Sequence, residues 1–142
     1  MSGPNPKPIP VPLSSAERQR LLEAARAALA QAYAPYSKFH VGAALLSEAG
    51  KFYTGCNVEN ASYGLTICAE RAAICAAVSA EGGGMRIRAL AVLNGNDAPC
   101  SPCGACRQVI FEFGAQAPVL YQGRDGVEES IAAALLPEGF TL

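Results

Sequence analysis

The chain has 142 residues, 51% of them hydrophobic and 16% charged, with a net charge of −1. That length suits one domain and buries roughly 70% of the extended chain's surface, enough for a true core. The near-neutral charge shows no basic stripe, which argues against a nucleic-acid backbone as main partner. The apolar surplus suggests that copies of the chain cover part of one another.

Residues 1–13 read as an arm. Proline occupies every second position from Pro4 to Pro12, a pattern for extended polyproline-like chain. The arm has no apolar h-region of a secretory signal, and no run is long enough to span a membrane. A cytoplasmic location is therefore expected, and the six cysteines read as metal ligands and buried thiols instead of a disulfide framework. Residues 14–142 form the single expected domain.

A helix begins at Ser14, where Ser14-Ser15-Ala16-Glu17 fits a capping box. Leu21, Leu22, Ala25, Ala28, Leu29 and Ala32 follow at helical spacing. Strands are predicted over residues 39–46 and 51–58, joined by a turn at 47–50. A second helix runs from Cys68 to Ala80 and stops at Gly82-Gly83-Gly84. A third strand covers 87–93, and a polar loop leads to a third helix over 103–113. A fourth strand covers 118–121. A short last helix is predicted from Glu128 to Leu136, with a weak fifth strand nearby. Helices alternating with strands around a buried strand argue for an α/β fold, a three-layer α/β/α sandwich on a mixed sheet.

Two runs carry the chemistry: Cys68-Ala69-Glu70 and Pro102-Cys103-Gly104-Ala105-Cys106. Cys68, Cys103 and Cys106 offer three thiolates, one fewer than a closed zinc site, so a fourth position stays open. Cys103 and Cys106 share one helix face. Pro102 fits a helix start, and Cys68 opens its own helix, so both ligand groups meet helix N-termini that favour thiolate. Glu70 is a carboxylate placed to move protons, and a Cys₃ zinc with such a glutamate is the arrangement of the zinc deaminases. Three thiolates leave the site with excess negative charge, so Arg71 and Arg107 are expected to offset it, Arg71 by donating to the sulfurs.

Other sulfurs compete. Cys75 lies roughly 10 Å along the helix from Cys68 and reads as a core thiol, as Cys56 reads as strand packing. Cys100 could close a Cys₄ structural site, but Pro102 stiffens its link to the helix and a closed site leaves Glu70 without a task. His40 sits in a strand away from both motifs and is expected to be non-catalytic. Asn57 and Glu59, two apart on a strand, point to one face, where an amide and a carboxylate suit a diol or face water.

Tyr36-Ser37-Lys38-Phe39-His40-Val41-Gly42-Ala43-Ala44-Leu45, Gly55-Cys56-Asn57-Val58-Glu59-Asn60-Ala61, Cys68-Ala69-Glu70-Arg71 and Ser101-Pro102-Cys103-Gly104-Ala105-Cys106-Arg107-Gln108 closely resemble the small homotetrameric cytidine deaminases. The likeness runs from about Ala34 to Phe140. It implies a five-stranded mixed sheet, one zinc per chain, and hydrolysis of cytidine and 2′-deoxycytidine to uridine and 2′-deoxyuridine plus ammonia, a pyrimidine-salvage reaction. It further implies that Phe39 stacks on the base and that Asn57 and Glu59 bind ribose hydroxyls. The Ala69 N–H would hold the base O2 and the Ser101 carbonyl the amino group, while Tyr63 and Phe140 reach neighbouring subunits. Expected partners are a nucleoside and other copies of the chain. The Asn57/Glu59 pair argues against a deaminase of aminoglycosyl nucleosides. The charge argues against a polynucleotide deaminase. A zinc-stabilised binding module built on four cysteines is the alternative outside catalysis.

Overall fold

The computed structural model describes residues 11–142; residues 1–10, most of the predicted arm, lie outside them. Helix α1 spans Ser15–Ala28 and ends in a short 3₁₀ turn, Leu29–Gln31. Its predicted capping box is present: Ser14 Oγ accepts from the Glu17 N–H at 3.1 Å, and the Ser14 N–H donates to Glu17 Oε1 at 3.0 Å. Strands β1 (Val41–Ser47) and β2 (Phe52–Cys56) follow, then α2 (Ala69–Glu81), β3 (Ile87–Asn94) and α3 (Gly104–Gly114). Strands β4 (Pro118–Gly123) and β5 (Gly126–Ile131) and a single-turn helix α4 (Ala132–Leu135) complete the chain.

The sheet is five-stranded and mixed, in the order β2-β1-β3-β4-β5. Only β3 and β4 run parallel, with α3 in their crossover; the other pairs are antiparallel. Along β1 successive side chains face opposite layers. Ala44 and Leu46 meet Leu21 and Ala25 of α1 on one side. Ala43 and Leu45 join Ala73, Ile74 and Ala77 of α2 and Cys106 and Ile110 of α3 on the other. Both faces of β1 and β3 are therefore buried, which explains their near-continuous apolar sequences. No helix among the described residues is long and apolar enough to cross a membrane.

Three expectations change. The segment predicted as a helix from Glu128 is β-strand to Ile131, and the helix is confined to Ala132–Leu135. The reason is a tight hairpin at Gly123-Arg124-Asp125-Gly126: Gly123 pairs with Gly126, whose φ is 124°, and the register runs back to Pro118 opposite Ile131. The second strand ends at Cys56; beyond it Val58 makes isolated bridges to Tyr33 and Ile67. Cys75, expected in the core, is exposed, because α2 turns Ala73, Ile74 and Ala77 inward and Cys75 away.

Candidate active site

Two helix starts converge at the C-terminal end of β3. Cys68 is the N-cap of α2 and Cys103 the N-cap of α3, and neither sulfur makes a capping hydrogen bond. Cys106 lies in the first turn of α3 and is fully buried. The three Sγ atoms lie within 4.8 Å of one another, with Cys68 and Cys103 4.0 Å apart. Thiolates bonded at ~2.3 Å to a tetrahedral zinc lie roughly 3.8 Å apart, so this donor set fits one zinc. Cys100 stands outside the cluster. Its N–H donates to the Gln122 carbonyl at 2.9 Å, which bridges the loop to β4.

The electrostatics favour a thiolate at Cys68. The Cys68 thiol is held down to about 5, first by the hydrogen bond from Cys106 and then by Arg71. Cys106 is pushed up by that same hydrogen bond and by burial. Arg71 Nη2 donates to Cys68 Sγ at 3.3 Å, while its buried Nε has no acceptor among the described residues. Such an orphaned charged donor beside three sulfurs fits an anionic centre. Arg107 is used differently from Arg71. Its guanidinium donates to the Pro102 carbonyl at 2.7 Å, the Ser101 Oγ at 2.8 Å and the Leu135 carbonyl at 2.9 Å. It therefore clamps the ligand loop to α4, and its donors meet oxygen acceptors.

Glu70, the second residue of α2, is only 4% exposed. Burial raises its carboxyl pKa above the ordinary carboxylate range, and the neighbouring Cys68 charge pushes the same way. A carboxyl with a raised pKa takes up a proton more readily than a free glutamate. Ala69 opens α2, so its N–H belongs to the first turn, where helical amides lack intrahelical acceptors.

The second wall comes from residues 36–41. Lys38 takes φ 62° there, and Ser37 Oγ accepts from the Phe39 N–H at 3.0 Å. Asn57, 8% exposed, donates from Nδ2 to the Phe39 carbonyl at 2.8 Å and accepts from the Val41 N–H at 2.9 Å. Glu59 Oε1 accepts from the Tyr36 and Ser37 N–H groups at 3.0 and 3.1 Å; its carboxyl is lowered, foremost by the Ser37 side chain. Both side chains thus turn to one segment although regular strand has ended. Their grip on backbone is a role that spacing alone did not reveal. Tyr36, Ser37, Glu59, Tyr63 and Thr66 line a hollow of about 420 Å³. Tyr63 and Phe140 are 76% and 65% exposed, and Gln108 Nε2 holds the Phe140 carbonyl at 3.0 Å. His40 places Nδ1 3.2 Å from the Lys38 carbonyl and makes no contact with the sulfurs among the described residues. A larger hollow, about 710 Å³, lies at the opposite end of β3 and β4 beside Arg86, Arg88 and Pro118, and gathers none of the predicted site residues.

Residues 15–122 match the family model described as the cytidine and deoxycytidylate deaminase zinc-binding region. A cytidine deaminase of Sporosarcina psychrophila is 49% identical over 125 residues, covering 87% of this chain and 90% of that protein. One from Mycobacterium tuberculosis is 48% identical over 115 residues, covering 81% and 83%. The crystal structure of cytidine deaminase from Burkholderia pseudomallei superposes with a TM-score of 0.78 at 48% identity, covering 86% of this chain and 98% of that one.

Proposed function

The chain belongs to the cytidine and deoxycytidylate deaminase zinc-binding family, and we propose on that footing that it is a zinc-dependent cytidine deaminase. The observation that carries the reading is the buried carboxyl of Glu70 beside the Cys68, Cys103 and Cys106 cluster. The reaction is hydrolysis of cytidine or 2′-deoxycytidine to the uridine product and ammonia. The domain is residues 14–142, supported by the capping box at Ser14.

Cys68, Cys103 and Cys106 would hold one zinc, with Arg71 offsetting their charge. Bound zinc supplies Lewis acidity, which makes hydroxide available from water near neutral pH. Glu70 accepts a proton from water and delivers it to ring N3. It then takes the second water proton and carries it to the departing amine. Its burial supports the accepting steps, since a raised pKa strengthens the carboxylate's hold on a proton. Phe39 stacks on the pyrimidine, and the Ala69 N–H and Ser101 carbonyl meet O2 and the 4-amino group. Asn57 and Glu59 bind ribose hydroxyls with the capacity their backbone contacts leave free: one amide hydrogen on Asn57 and one oxygen on Glu59. Arg107 holds Ser101 and Pro102 in place.

The exposed apolar residues Tyr33, Tyr36, Val58, Tyr63, Leu65 and Ile67 support a homotetramer in which Tyr63 and Phe140 enter neighbouring sites. The free thiols support a reducing compartment, the cytoplasm, and a role in pyrimidine salvage. The test is the ultraviolet band of cytidine mixed with purified protein, beside a Glu70→Ala control. Loss of the band with the unaltered protein alone is expected. An unchanged band with zinc-loaded, folded protein would overturn the reading.

A further inference from the structure

The turn that ends β3 connects the two walls of the site. Asn94 lies opposite Val41 in the β1–β3 register and is 2% exposed. Its Nδ2 donates to the Ala98 carbonyl at 2.8 Å, and its Oδ1 accepts from the Asn96 and Ala98 N–H groups at 3.1 and 3.0 Å. Three hydrogen bonds from one buried carboxamide fold residues 94–98 back on themselves, with Asp97 at φ 49° between them. The next residue, Gly95, donates its N–H to the His40 carbonyl at 2.9 Å. One side of the turn is thereby tied to the segment that carries Phe39. The other side runs directly to Cys100, pinned to Gln122, and to Ser101 and Pro102, pinned by Arg107.

We propose that Asn94 is a positioning residue for the deamination, setting the distance between Phe39 and the Ser101 carbonyl. The inference rests on the proposed activity, in which those groups meet the ring face and the 4-amino group. Asn94 is buried and its carboxamide faces its own turn, so it acts through the loop and not on the substrate. Without the carboxamide, two N–H groups and a carbonyl lose their partners. The turn then relaxes, and the Ser101 carbonyl, tied now only from the Gln122 and Arg107 side, shifts against Phe39; a displacement of about 1 Å in a positioning group can cost on the order of 100-fold in rate.

A looser fold would weaken every ligand alike, whereas the proposal singles out the amino group. Cytidine donates an N–H toward the Ser101 carbonyl; uridine presents an oxygen there and cannot. The experiment measures kcat/KM for cytidine and the inhibition constant of uridine in zinc-loaded wild type, Asn94→Ala and Asn94→Asp. For Asn94→Ala the expected result is a loss of roughly 100-fold with cytidine and a uridine constant within about twofold of wild type. Asn94→Asp keeps the acceptor for two N–H groups but turns an oxygen on the Ala98 carbonyl, so its loss falls between. If Asn94→Ala does not fold, the same ratio in Asn94→Asp decides. Equal weakening of both ligands, or wild-type values for both, overturns the role of Asn94. Wild-type protein that leaves cytidine intact overturns the activity itself.

Discussion

Arg71 lies one helical turn beyond Cys68 and returns its guanidinium to that sulfur, 3.3 Å away. Helix geometry makes the contact local, since residues three apart share a face. Arg71→Ala leaves the three thiols in place but removes the cation beside them, so the Cys68 thiol rises from about 5. Zinc affinity is expected to fall roughly 10–100-fold, measured by competition with a chromophoric chelator. Unchanged affinity would separate Arg71 from the metal.

Glu70→Ala is expected to keep one zinc per chain and lose ~10²–10⁴-fold or more of turnover, the usual contribution of a general acid–base group. Metal analysis and the cytidine assay on one sample check both halves. A variant with near-normal turnover would remove Glu70 from the proton path.

Cys103→Ala takes one donor from the cluster and is expected to lose metal and stability together. Ligand binding stabilises only the folded state, by about 4.1 kcal/mol at roughly 1,000 times the Kd. Thermal melting with and without chelator is the measurement. Chelator should lower the midpoint of the wild type and leave that of Cys103→Ala where it is.

An acid-side prediction rests on Glu17, whose carboxyl falls from 4.5 to about 2, first through its hydrogen bond with Arg88 and then through Ser14. The folded pKa is the lower of the two. The group's contribution is therefore complete above 4.5 and disappears as the pH drops from there toward 2. Glu17→Gln should flatten that part of the acid-unfolding curve, followed by circular dichroism against pH. An identical acid limb in both proteins would show the pair to be inert.

Gly55 on β2 faces the first turn of α2 so closely that a Cβ would lie 2.5 Å from the Ala69 carbonyl oxygen. Gly55→Ala must push that turn outward, at a cost of about 1–3 kcal/mol for overpacking. Because the turn carries Glu70, activity should fall further than the loss of folded protein accounts for. Chemical denaturation beside kcat separates the two effects.

The sequence exposed the parts of this molecule that depend on neighbours in the chain. The Ser14–Glu17 capping box, the two sulfur-led helix starts and the Cys103/Cys106 pair are all local patterns, and each appears in the structure. After Tyr121 the structure departs from the expected helix: Ala132-Ala133-Ala134-Leu135 favours helix locally, but Glu128 to Ile131 pair with β4. The Asp125-Gly126 pair was the available hairpin signal. Asn57 shows the other limit. Its spacing from Glu59 suggested ligand contacts, but its bonds to Phe39 and Val41 join residues far apart in sequence and arise only when β1 lies beside β2. Asn94 in an Asn-Gly-Asn-Asp run is a recognisable turn former. Its burial against the site depends on β3 ending beside Val41, which no local pattern records.

Two helices that each begin on a bare cysteine share an unusual dependence. Their first turns have no side-chain caps, and one ion held by Cys68, Cys103 and Cys106 would serve both ends at once. Their opening motions would then be correlated instead of independent. On metal removal, amide exchange at the starts of α2 and α3 should accelerate in step, while α1, closed by its own serine and glutamate, keeps its protection.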